Sequence, residues 1–191
     1  MVWRLSKNGS GTHPLSDLSV LNQFAAAPFP PGYPANFRRF FSPIDDVPGA
    51  LRYVIGAAQR SLTICVYGFD DDALADVIKQ KLEAENVAVS LTLDSSQAGG
   101  VHERVLLARE DYPNSIIAIG RSEKGAIIHD KLAVVDGVIA LTGSTNWSTG
   151  GETKQDNECS ISADPVDAAV VSARILAIHN SVLAKAKPTT P

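Results

Sequence analysis

The chain has 191 residues, 45% hydrophobic and 20% charged, which suits one globular domain with an ample core and excludes a disordered or fibrous chain. Its formal net charge of −4 supplies no overall basic field of the kind that draws nucleic acid, although a local cluster of basic residues would escape that count. Two isolated cysteines, Cys65 and Cys159, exclude a disulfide scaffold, and without a CxxC pair they give no zinc site; they read as buried thiols whose proximity the sequence leaves open.

At the N-terminus, MVWRLSKNGSGTHPL has basic residues but no continuous apolar run. A signal peptide is therefore not expected, and cytoplasmic localisation is the default, with secretion by another route left open. No run of 18 apolar residues occurs anywhere, so no transmembrane segment is expected. Residues 1–37, with GSGTHP and APFPPGYPAN, read as an N-terminal extension or arm that wraps the body or contacts another chain. From there to residue 186 the pattern is regular. RFFSP is a short strand, and VPGALRYVIGAAQ (47–59) has helical spacing at Leu51, Val54, Ile55 and Ala58. SLTICVYGF (61–69) is β-rich. DDDALADVIKQKLEAEN (70–86) is a helix with aspartates for an N-cap and Leu74, Val77, Ile78 and Leu82 on one face. A strand (87–94), a short helix (99–109) and another strand (115–120) follow. After a hairpin come a strand at 157–164 and a long helix at 165–186, with Asp164 as N-cap and Pro165 at its first position. The tail 187–191 is expected to fray. Strands alternating with helices, interrupted by a hairpin, imply an α/β single domain: a mixed central sheet flanked by helices on both faces.

The hairpin is IIHDKLAVVDGVIALTGSTN (127–146). Asp136-Gly137 is a strong signal for a two-residue type I′ loop, in which facing residues have numbers summing to 273. Ala133 then faces Ala140, Lys131 faces Thr142, His129 faces Ser144, and Ile127 faces Asn146. This register projects His129, Lys131, Ser144 and Asn146 from one face at one end of the hairpin. Leu132, Val134, Ile139 and Leu141 fall on the other face, with Asp130. Asp136 sits in the turn, about 17 Å from Lys131 along an extended strand, which suits turn geometry and local hydrogen bonding rather than catalysis.

HDKLAVVD is HxKxxxxD, and GSTN follows that aspartate by seven residues. The pattern resembles the phospholipase D superfamily, whose signature is HxKxxxxD followed by GSxN. SPIDDVPGALRYVIGAAQRSLTICVYGF resembles the family's opening helix and strand, LTLDSSQ its next strand end, and DNE (156–158) the acidic position after GSxN. The resemblance covers about residues 38–185 and carries one motif. Single-motif members resemble small nucleases that form homodimers with one active site across the two-fold axis, so a homodimer with an isologous interface is implied.

The resemblance further implies metal-independent phosphodiester cleavage with no cofactor, through a phosphohistidine on His129. The second subunit's copy of that histidine acts as general acid and base. Lys131, Ser144 and Asn146 act on the phosphate, and Glu158 orients His129. Gly143 joins Asp136 and Gly137 as motif residues that shape the backbone. Arg121, Lys124, Trp147 and Lys154 flank the motif as substrate-binding candidates, although burial is the plainer reading of Trp147. The function implied first is an endonuclease on DNA or RNA. A phospholipid phosphodiesterase is the alternative, and a catalytically quiet nucleic-acid-binding or assembly protein the second. His102 and His179 lie in helical patterns and read as structural.

Overall fold

A computed structural model describes residues 13–98 and 100–185. Residue 99 and segments 1–12 and 186–191, which include the start of the expected arm and the expected frayed tail, lie outside it, as does the side chain of His102. Seven strands, β1 (Phe37–Ser42), β2 (Ser61–Val66), β3 (Ala88–Asp94), β4 (Ile117–Gly120), β5 (Lys131–Val135), β6 (Ile139–Gly143) and β7 (Asn157–Ser162), form one sheet of order β1-β7-β6-β5-β2-β3-β4. β2, β3 and β4 run parallel, and β2-β5-β6-β7-β1 are joined antiparallel, so the sheet is mixed as expected.

Helices cover both faces because strand residues alternate between two apolar cores. On one face α1 (Val47–Gly56), α2 (Asp72–Glu83) and α3 (Val101–Glu110) pack on Leu62, Ile64, Leu91, Ala133 and Leu141. The helix spacing read at Leu51, Val54, Ile55 and Ala58 is the buried stripe, each residue fully covered. Asp71 caps α2 by accepting from the Ala73 and Leu74 amides. On the other face α5 (Pro165–Lys185) lays Ala168, Val171, Ile175, Ile178 and Val182 over Cys65, Val134 and Ala140. By length and composition α5 would also suit a membrane span, a property shared by core helices of this kind. Cys65 and Cys159 fall in different cores as free buried thiols. His179 is a core histidine: its Nδ1 meets Thr92 Oγ1 at 2.8 Å.

Two elements were not read from the sequence. A 3-10 helix (Leu18–Phe24) buries Leu18 and Leu21, and Leu15 joins them, so the described part of the supposed arm is built into the core. The short α4 (Thr149–Thr153) lies between β6 and β7.

The hairpin register needs a correction. Asp136 and Gly137 do take left-handed φ values of 54° and 73°, and the Val138 amide donates to the Val135 carbonyl at 3.0 Å. Yet Val135 pairs with Ile139 and Ala133 with Leu141, so Val138 is one extra residue on the second strand. A single inserted residue exchanges the faces of every residue beyond it. Ile139 and Leu141 therefore share the face of Ala133 and Val135, in the larger core.

Candidate active site

The HxK segment enters β5 beside the carboxyl end of β2, the edge at which open α/β sheets place their ligands. Lys131 pairs with Val66, and the Tyr67 amide extends that ladder by donating to the Asp130 carbonyl at 3.0 Å. Asp94, at the end of β3 and fully buried, accepts from the Ile128 amide at 2.6 Å and so fixes the residue before His129. Arg121 lies 3.9 Å from the same carboxylate.

His129 is exposed, whereas Lys131 is buried. The Lys131 ammonium donates to the His129 carbonyl at 2.7 Å and stands 5.0 Å from the centre of the Tyr67 ring. That ring also flanks the His129 imidazole, centroid to centroid 4.7 Å. Burial pulls the lysine down to about 8, against a weaker upward effect from Asp130.

Beyond Leu141 the second strand bends away. Gly143 has φ 149°, and a Cβ there would overlap the Glu158 carbonyl oxygen, so only glycine lets the chain cross β7 this closely. The Ser144 and Thr145 amides both donate to that carbonyl, at 3.0 and 3.3 Å. Ser144 Oγ donates to Asn157 Oδ1 and accepts from the Glu158 amide. Continuing the observed register sets Lys131 level with Gly143, so the face-sharing expected between His129 and Ser144 is replaced by this attachment to β7.

Asn146 reaches the site by another route. Its side chain lies against Gly68, next to Tyr67, where a Cβ would stand 3.4 Å from the amide carbon. The Trp147 amide donates to the Gly68 carbonyl at 3.0 Å, which ties the GSTN loop to the end of β2. Asn146 Oδ1 is buried with no hydrogen-bond partner among the described residues. An orphaned amide oxygen costs about 1–3 kcal/mol, and such groups mark places where function constrains packing.

Glu158 does not meet its expected partner. Its carboxylate accepts from Ser160 Oγ and lies 3.3 Å from Arg39, and no hydrogen bond links it to His129. It does line a small cavity with Lys131 and Thr145. Trp147 follows its plainer reading and not the substrate-binding one: at 2% exposure, against Phe69, it supports the loop and cannot stack a substrate base. Lys124 and Lys154 are exposed. Asp136 is the structural residue that its position suggested. Its carboxylate accepts from the Gln59, Arg60 and Ser61 amides, at 2.7 to 3.2 Å, and pairs with His13 at 3.0 Å, clamping the hairpin tip to the loop after α1.

Below the loop sits a group that sequence reasoning missed. Glu152 is 2% exposed, with Oε1 unpartnered among the described residues. Burial, then the charge and hydrogen bond of Asp71, push it up to about 9, so it is neutral at ordinary pH. Tyr67, Asp94 and Glu152 all lack a motif; only the ends of β2 and β3 hinted at the first two.

An exposed imidazole, a buried cation and an amide at one strand edge can together supply a nucleophile or proton carrier and two donors for an anionic oxygen. A family model described as "Cardiolipin synthase, PLD-like domain" matches residues 51–177. A mitochondrial cardiolipin hydrolase of Chlamydomonas reinhardtii is 29% identical over 111 residues, 58% of this chain and 48% of the relative. The chain thus spans about half the length of the curated relatives it matches. Among solved structures, the phospholipase D family member Nuc from Salmonella typhimurium has a TM-score of 0.66 at 21% identity, covering 76% of this chain and 94% of its own. NucT from Helicobacter pylori has a TM-score of 0.62 at 18% identity, covering 76% and 97%. At such identities the likeness is one of fold.

Proposed function

Because the chain belongs to the phospholipase D superfamily, through its phospholipase D-like domain, we propose that it is a metal-independent phosphodiesterase, first of all an endonuclease on DNA or RNA. The observation that carries this reading is the exposed His129 standing beside a buried Lys131 that forms no ion pair among the described residues. A ring nitrogen of His129 attacks phosphorus and the P–O bond to the leaving alcohol breaks. His129 of the partner subunit gives that oxygen its proton. Water then attacks the phosphohistidine, passes a proton to the same partner imidazole, and the P–N bond breaks. Lys131 and Asn146 hold the non-bridging oxygens as charge builds on them. The need for two imidazoles, with one in the chain's motif, supports a homodimer. The exposed Phe41 and Ile44, which line an open groove of about 410 Å³ with Ser144 and Asn157, give such a contact apolar surface.

A phospholipid phosphodiesterase is the second reading, favoured by the cardiolipin hydrolase relatives and by the same apolar groove. The test is incubation of the purified chain, in EDTA, with single- and double-stranded DNA, RNA and labelled phospholipid vesicles, beside His129→Ala. Cleavage of nucleic acid that the variant lacks is expected. Headgroup release alone would move the assignment to lipid. Light scattering at assay concentration should give twice the chain mass, and an active monomer would contradict the shared site.

A further inference from the structure

We propose that Tyr67 is a positioning residue of this site, its ring holding the Lys131 ammonium and flanking the His129 imidazole without neutralising either. A buried ammonium ordinarily needs a carboxylate partner, and such a partner would cancel the charge that a phosphate has to feel. Among the described residues no carboxylate forms an ion pair with Lys131. Its contacts are the His129 carbonyl at 2.7 Å and the Tyr67 ring at 5.0 Å. Both are uncharged. A π face attracts a cation through its quadrupole and leaves the net charge intact, so the ring covers the lysine while its field still reaches the substrate.

The ring is itself held. Its hydroxyl accepts from Gln97 Nε2 at 2.9 Å, and its amide is fixed by the Asp130 carbonyl. Gly68, the next residue, seats Asn146. One strand end therefore sets the positions of three candidate site residues.

The charged neighbours of Lys131 are few. Asp130 is engaged by Arg174 of α5 at 3.8 Å, and Glu158 of β7 by Arg39 at 3.3 Å. His129 shares the ring with the lysine. Removing the ring lets water reach the ammonium and relieves the burial that depresses its titration.

The proposal rests on the phosphodiesterase reading only for its kinetic readout. The test is 1H–13C NMR of the Lys131 ε-methylene in the unsubstituted chain, Tyr67→Phe and Tyr67→Leu, together with pH profiles of kcat/KM. In the unsubstituted chain the ε-protons should be shifted upfield by the ring. Tyr67→Phe should keep that shift and the lysine titration. Tyr67→Leu should lose the shift, move the titration upward toward an ordinary lysine, and lower kcat/KM about tenfold with its alkaline limb displaced upward. An absent ring shift in the unsubstituted chain overturns the proposal without any variant. So does a folded Tyr67→Leu protein whose Lys131 titrates as before. If the chain cleaves no phosphodiester, the proposed function fails, and the NMR readouts decide the role of Tyr67 separately.

Discussion

Lys131, the first residue of β5, donates its ammonium to the carbonyl of His129, two residues earlier in the segment that leads into that strand, at 2.7 Å. The contact folds the lysine back toward the histidine, so that one short segment presents a cation and an imidazole together. Its burial has consequences in pH. Lys131 titrates near 8 in the fold, against 10.5 for a free lysine. Activity should therefore fall as pH rises through about 8. Stability should move the other way. Between about 8 and 10.5 the unfolded chain binds the extra proton, so this lysine's contribution to stability rises with pH. Rate profiles and thermal melts across that range check both signs, and Lys131→Met should remove the stability trend.

The clamp at the hairpin tip makes a stability prediction. Asp136→Ala strands three backbone amides and should cost about 3 kcal/mol, read by urea unfolding. Burial raises this carboxyl, but the Ser61, Gln59 and Arg60 amides and the His13 ring outweigh it and leave it below the ordinary value of 3.8. Its stabilisation is thus complete above that value and lost as pH falls through the lower folded value. The Ala variant should show a weaker acid dependence than the unsubstituted chain.

Glu152 should behave in the opposite sense. Its folded value of about 9 lies above the free value of 4.5, so the fold holds a proton that the unfolded chain releases. Stability from this group falls as pH rises between those limits. Glu152→Gln supplies a permanently neutral side chain of the same shape and should raise stability at pH 8 by about 1–3 kcal/mol, with a smaller gain near pH 5. Thermal melts at the two pH values check it.

The sheet, its two helical layers and most element positions were legible because hydrophobic period and capping residues agree locally. Leu51, Val54 and Ile55 read as a buried helical stripe, and Asp136-Gly137 as a turn with two left-handed residues. What the turn did not reveal was the extra residue at Val138, because bulges are set by how the strands twist against their neighbours. That one residue moved Ile139 and Leu141 to the other face and sent Ser144 to β7. His129 and Lys131 were legible from their spacing. Tyr67 and Glu152 were not, since each owes its setting to residues distant in sequence: Lys131 for the first, Asp71 for the second.

The most direct test of the central claim is the phosphodiesterase rate of His129→Ala in EDTA, measured beside its thermal melt. His129 is exposed, so its replacement should change stability by no more than about 0.5 kcal/mol while lowering the rate by at least about 10³-fold. A folded variant that cleaves the substrate at the unsubstituted rate would contradict the account.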